Sequence, residues 1–390
     1  MARSVDTHEM VTPAGAAVPV SEAGAPWAKG DLTFYRLYDV GYEIDLQRAS
    51  ELLAGNAPER PRPVRGEAQA IQIPNPPVTV RLGTESIRVG PSAQEIEVSA
   101  RIFDFGVVSL RGRISVASPR AWSEWTRLGV LVGSGPEWAA CFQRWRDQLI
   151  ERIGPAVERP GDSGVVEDYI IFRFDGLQDT DGRSLSTQAL TEESAAGLLF
   201  GESRPLAPSA RHELLSPRYA YFEDDLAILA WNGALIVEPS AEDTDVEYVL
   251  EFANAQLLEL RFYDHVLDGE IPRIYDEIAS ARRGFHLLGR RYSRLLAALQ
   301  SRVADGTELV ERVENSLKVT DDVYLSRIYA AALEIFRSRT WRSGIERKVS
   351  IVRDAYSMLN AESVERRSEV LEIIIIALIL VELIVAGLSR

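Results

Sequence analysis

The sequence predicts an α+β fold: an N-terminal body made of two β-α-β-β-α units in a pseudo-duplicate, then a helical stalk, then one C-terminal transmembrane helix. Three observations carry this expectation. Residues Val370–Leu388 read VLEIIIIALILVELIVAGL, a predominantly apolar run near the end of the 390-residue chain. At about 1.5 Å rise per residue such a helix spans roughly 28 Å, close to the hydrocarbon thickness of a bilayer. From Glu238 onward, apolar residues recur in steps of three and four, which is the helical period. Before Glu238, short strand-like runs dominate, and two of them can be laid over one another.

The elements follow in order. Met1–Gly30 is rich in Ala, Gly, Pro and Ser and reads as a disordered tail. The body occupies residues 31–240, with an internal repeat at 31–160 and 165–265. Leu32–Val40 reads as a strand, and Ile44–Leu53 as a short helix capped by Asp45. The proline-rich stretch Asn56–Pro77 is a loop. Strands are expected at Ile96–Phe103 and Val107–Val116, and Ser134, Pro136 and Glu137 open a helix reaching Ile153. Tyr169–Phe174 is the next strand. Thr191–Phe200 is helical, strands follow at Tyr219–Glu223 and Ala227–Val237, and a helix begins near Ser240. Laying FDFGVVSLRGRI (103–114) over DDLAILAWNGAL (224–235) puts Asp104 on Asp225 and Gly112 on Gly233, the basis for a repeat.

Residues 241–368 make the stalk. Val246, Val249, Leu250, Ala253, Leu257, Leu260 and Tyr263 form an amphipathic stripe, which Pro272 breaks or kinks. Ile345, Val349, Val352, Tyr356 and Leu359 form a heptad seam that fits packing within one subunit or a dimer contact. Residues 369–388 are the membrane helix. Glu372 lies where its carboxylate can reach the interface, whereas Glu382 lies well inside and calls for a pairing partner within the membrane. Arg366 and Arg367 precede the run and mark the cytoplasmic side.

Composition narrows the function. A net charge of −15 argues against a general nucleic-acid binder and suits a body held off an anionic membrane. Cys141 is the only cysteine, and the histidines His8, His212, His265 and His286 are scattered, so no disulfide and no His/Cys metal site is expected. Lysine occurs only at Lys29, Lys318 and Lys348 among 43 basic residues, which reads as the codon bias of a GC-rich bacterial genome. No secretory signal opens the chain. The expected location is the cell inner membrane, single-pass, with the body in the cytoplasm.

Few motifs of known chemistry occur in the chain. Gly133-Ser134-Gly135 lacks the third glycine of a dinucleotide turn and reads as helix capping. Asp175, Asp179, Asp181 and Gly182 lack the spacing of a calcium loop and read as a turn. GxSxG, HExxH and GxxxxGKS are absent, so no catalytic, cofactor or metal residue is assigned. Ala281–Arg302 holds six arginines and no acid. On a helix Arg283, Arg290 and Arg294 fall within roughly 40° of one another, as a solvated face paired with neighbouring acids or as a contact to phosphates of lipid or RNA.

Several of these segments bear a family resemblance. Ala230–Asn232 (AWN), Asn254–Leu260 (NAQLLEL), Asn315–Val319 (NSLKV), Leu359-Asn360, Leu371-Glu372 with the isoleucines after it, and Glu382 are similar to the uncharacterised-domain family typified by the "required for meiotic nuclear division" and sporulation-associated proteins. The resemblance implies a membrane-anchored, oligomeric protein without established catalysis. It further implies a ribosome-tethering role, as in mitochondrial relatives, with ribosomal RNA as a partner of the arginine-rich helix. The leading expectation is therefore a tail-anchored, non-catalytic scaffold whose partners are the lipid bilayer and further copies of itself. The alternatives are a subunit of an ion channel or transporter built around Glu382, and a membrane-associated enzyme using the body near Gly133–Gly135.

Overall fold

A computed structural model of the protein describes residues 25–56, 75–161, 164–201, 206–215, 217–239, 245–283, 297, 322–358, and 375, 376, 378 and 379. The chain divides into two compact units, residues 1–259 with 318–338, and residues 260–317 with 339–390.

The first unit opens with β1 (Trp27–Asp39), β2 (Gly41–Ile44) and helix α1 (Leu46–Leu52). The Asp45 carboxylate caps α1 by accepting from the Arg48 amide at 3.0 Å, satisfying an orphan donor of the first turn. A meander follows of β3 (Val78–Val89), β4 (Ser92–Ile102) and β5 (Val107–Ala121). Then come α2 (Trp122–Ser134) and α3 (Pro136–Ile153), where Gly135 is the N-cap and Pro136 stands in the first turn, a position where its missing amide costs nothing. The second half runs β6 (Val157–Pro160), β7 (Val166–Gln178), β8 (Ser184–Leu185), α4 (Glu192–Phe200) and α5 (Pro208–Leu215). It continues through β9 (Arg218–Tyr219), β10 (Leu226–Leu229) and β11 (Gly233–Val237) to α6 (Asp245–Arg283) and α7 (Val323–Ile335). Of α6, the part up to Glu259 belongs to this unit.

The strands form a nine-stranded sheet in the order β3-β4-β5-β1-β7-β11-β10-β9, with β8 beside β7, and a small β2-β6 sheet. All the pairings are antiparallel except β11 with β7. β1 is central because both of its neighbours need it: Phe34 stands opposite Gly112 of β5 and Ile170 of β7. Two close approaches fix its course. A Cβ on Gly30 would sit 1.9 Å from the Arg173 carbonyl oxygen. At Gly106, where φ is +86°, it would sit 1.8 Å from the carbonyl oxygen of Gly41; only glycine fits such a site.

One face of the sheet is apolar. Leu32 and Phe34 of β1, Val98 and Ala100 of β4, Leu110 and Ile114 of β5 and Phe172 and Phe174 of β7 pack there against Trp122, Trp125, Trp138 and Phe142 of α2 and α3. Trp125 donates to the Ala28 carbonyl at 3.0 Å and Trp122 to that of Ser194 at 2.9 Å, so each indole is buried with its polar tip satisfied. In the second unit, Leu260 and Leu267 of α6 pack on Ile345 and Val349. Lys348 anchors that contact through Asp264 and Asp268, each at 2.7 Å. The heptad seam at Ile345 and Val349 thus finds its partner inside the chain.

This architecture corrects three expectations. The body is a mixed α/β unit built on one large sheet, not a pseudo-duplicate of two β-α-β-β-α units with a stalk and a membrane helix. The proposed repeat fails on register. Residues 103–114 form a turn and then a single strand, with Gly112 inside β5, whereas 224–235 form a whole hairpin in which Gly233 opens β11. The third correction concerns the membrane: among the described residues no helix is long and apolar enough to cross one, so neither a single-pass inner-membrane location nor the membrane keywords are supported. Of Val370–Leu388 only Ile375, Ile376, Leu378 and Ile379 are described, all helical and half-exposed or more; the rest of that run lies outside the described residues.

Candidate functional site

The second face of the sheet carries charge. Side chains alternate along a strand, so the residues between those of the apolar face all point the other way: Thr79 and Arg81 of β3, Ser99 and Arg101 of β4, Ser109, Arg111 and Arg113 of β5, Asp31, Thr33 and Tyr35 of β1, and Tyr169 and Arg173 of β7. The register sets them in rows, with Thr79 opposite Arg101, Ser99 opposite Arg111, Arg111 opposite Tyr35, and Tyr35 opposite Tyr169. Asp31 and Arg173 make the last row.

Helix α6 lies on this face and supplies the countercharge. Glu247 and Glu251 are one turn apart, so both carboxylates fall on the same side of the helix. Glu251 binds Arg101 with side-chain exposures of only 1% and 7%. Arg101 also donates to Thr79 at 3.2 Å and lies 4.5 Å over the Tyr248 ring. Glu247 accepts from Arg113 at 3.0 Å and from the Tyr35 hydroxyl at 3.2 Å. Arg111 donates to Ser99 at 3.0 Å, and Arg173 bridges Asp31 at 3.5 Å and Asp175 at 3.3 Å. Burial pushes the Tyr35 phenol well above its ordinary pKa, and the Glu247 and Glu251 charges push it further. α6 also meets α7, where Tyr329 binds Gln256 and its ring lies tilted against Phe252 with centroids 6.1 Å apart.

Chemically this layer is an interlock. Its strongest bases are held by carboxylates, and its phenols remain protonated. Cys141 is equally inert as a nucleophile: it is buried and donates to Glu85 at 3.2 Å, and burial with the Glu85 contact pushes its thiol up to about 12. Trp145 donates to the same carboxylate at 2.7 Å, and Arg144 pairs with it. Among the described residues no group of three His, Cys, Asp or Glu could hold a metal ion.

Outside, aromatic side chains gather at one edge. The β9–β10 loop carries Tyr221 and Phe222, each 59% exposed, with ring centroids 4.8 Å apart and planes at 89°. Tyr221 also meets Tyr324 of α7 at 5.7 Å. The loop is pinned by Asp225, 4% exposed, whose Oδ1 accepts from the Tyr221 amide at 2.7 Å.

Arg283 is the last residue of α6, while Arg290, Arg294, Glu372 and Glu382 lie outside the described residues. Gly133 and Ser134 end α2, and Gly135 caps α3. The Asp179 carboxylate accepts from the Asp181 and Arg183 amides at 2.9 and 2.8 Å, making a turn that Gly182 completes with φ +80°. The arginine face was missed because its partners are 134 to 150 residues apart in sequence. Its one local signal was Arg111-Gly-Arg113, two arginines spaced to one face of a strand.

The fold and this interlock define a class: a broad mixed sheet, apolar beneath its helices on one face and arginine-lined on the other. The family model described as "Uncharacterized protein MJ0711, N-terminal domain" matches residues 29–244, and the chain belongs to that family. A relative, the uncharacterized protein MJ0711 of Methanocaldococcus jannaschii, is 24% identical over 241 residues, covering 62% of this chain and 72% of its own. No solved structure matches. These matches overturn the resemblance to the meiotic-division and sporulation-associated family, to which nothing in them points. The relative comes from an archaeon, so the bacterial membrane-protein reading is corrected with it. AWN is the turn between β10 and β11, NAQLLEL lies in α6, and the Leu-Glu-Ile segment lies outside the described residues; segments this short recur without common descent. The family match stops at residue 244, one residue before α6 begins.

Proposed function

We propose that the protein is a non-catalytic scaffold, acting by holding a partner protein and further copies of itself. The observation that carries this reading is the closure of the sheet's charged face. Arg101 and Arg113, the groups best suited to bind or activate an anionic substrate, are spent on Glu251 and Glu247 of the chain's own helix. An enzyme places such groups at a solvent-reached cleft with a reacting atom between them; here they cement a helix to a sheet. What the body leaves outside is binding surface.

The test is purification of the tagged full chain under mild conditions, followed by sedimentation. A stoichiometric protein partner or a defined oligomer is the expected result. A monomer without a stoichiometric partner that turns over a small molecule, and stops doing so when Arg113 is replaced, would overturn the proposal.

A further inference from the structure

The β9–β10 loop has the make-up of a cation-binding site. Tyr221 and Phe222 are the most exposed aromatic side chains among the described residues, and two adjacent large rings held in water mark an interaction site more than a packing need. They are not splayed at random. Tyr221 stands edge-on to Phe222 and rests, tilted by 54°, on the buried ring of Tyr324, which holds the exposed pair in place. Ring faces are electronegative and attract ammonium and guanidinium groups. The chain already shows this preference beside the loop, where the Arg327 guanidinium lies 5.9 Å over the Tyr219 ring.

Charge around the rings has one sign within the loop. Glu223 and Asp224 follow Phe222 directly and are exposed. Behind them Asp225 is buried, and while its Oδ1 holds the Tyr221 amide, its Oδ2 accepts no hydrogen bond among the described residues. A buried carboxylate oxygen without a hydrogen bond is costly, and a cation brought close to it lowers that cost.

We propose that Tyr221 and Phe222, backed by Glu223, Asp224 and Asp225, receive an arginine or lysine side chain from a basic segment of a partner protein. This names the partner chemistry of the scaffold reading and rests on it. Hydrophobic contact alone would accept any apolar segment; the carboxylates select a basic one, and the rings select a cation able to shed water. Guanidinium is the better fit, because it is planar and weakly hydrated.

The experiment uses the folded full chain and a fluorescent peptide of alternating arginine and glycine, with binding read by anisotropy in moderate salt. Tyr221→Ala with Phe222→Ala leaves the net charge unchanged and touches only exposed rings. It should weaken the peptide about tenfold, as expected for two cation–π contacts, and Asp225→Asn should weaken it as well. An aspartate–glycine peptide of the same length should not bind. Equal affinity of the double variant and the parent would overturn the proposal, since binding would then follow the protein's overall negative charge. A site that binds the peptide while the purified chain brings no protein partner would sustain the cation site and defeat the scaffold reading; the reverse pattern would do the opposite.

Discussion

Glu251 is the residue on which most depends. Its carboxylate is fully enclosed and its charge is met by Arg101 across the sheet–helix layer. Removing one partner of a buried pair strands the other, which costs about 3–5 kcal/mol. Glu251→Ala should therefore lower the unfolding free energy of the full chain, read by urea denaturation, by that amount, whereas Arg81→Ala, at an 84% exposed side chain paired with Glu97, should cost less than about 1 kcal/mol. The buried phenols add a pH dependence. Burial raises the pKa of Tyr35, Tyr169, Tyr248 and Tyr329 above the ordinary 10.0. An unfolded chain ionises these groups near pH 10.0 while the folded chain keeps them neutral. Stability should hold below that pH and fall steadily above it, as denaturant midpoints between pH 8 and about 11 would record. Cys141 should resist alkylation at neutral pH in the native chain and react at the ordinary rate in urea, because its thiol titrates only near 12.

Among the elements, α6 does two jobs with one amphipathic stripe. Its apolar positions Val249, Leu250, Ala253, Leu257 and Leu260 are all buried, as the periodicity requires, but so are Glu247, Glu251, Asn254, Gln256 and Glu259 between them. Periodicity reads such polar positions as a solvated face, so the sequence revealed the helix and concealed what surrounds it. Strand β1 was partly legible: the expected Leu32–Val40 overlaps a strand that ends at Asp39 and begins five residues earlier at Trp27, since Gly30 and Lys29 carry no apolar signal of pairing. The overlay of Gly112 on Gly233 misled because a glycine in a strand reads like a turn glycine. At position 112 glycine instead makes room for Trp138, whose ring lies 2.7 Å from where a Cβ would stand. Gly112→Ala should thus be destabilising by about 1–3 kcal/mol through overpacking. In the second unit, Ile345→Ala should cost about 2–5 kcal/mol, and should raise hydrogen exchange in residues 339–358 ahead of that in β1.

For the molecule as a whole, the family match and the folding unit have different limits. The match ends at residue 244, yet the first unit needs α6 to Glu259 and also α7. A chain ending at Ser240 would bare Arg101, Arg113 and Tyr35 together with the apolar residues that α6 covers. It should lose cooperative unfolding and aggregate, which light scattering and thermal melts would register. Topology at this scale was the least legible part of the sequence. The order β3-β4-β5-β1-β7-β11-β10-β9 joins strands more than a hundred residues apart, and nothing local encodes that.

The central claim is that the arginine face is closed by the chain's own carboxylates and serves as structure. A double-mutant cycle on Arg101 and Glu251, read by urea unfolding, tests it most directly. The account predicts that Arg101→Met and Glu251→Met each destabilise by about 3–5 kcal/mol and that the two together recover most of the loss, because an apolar pair fills the same space without stranding a charge. Single variants as stable as the parent, with additive effects in the double, would contradict it and return these arginines to the list of groups free to bind a ligand.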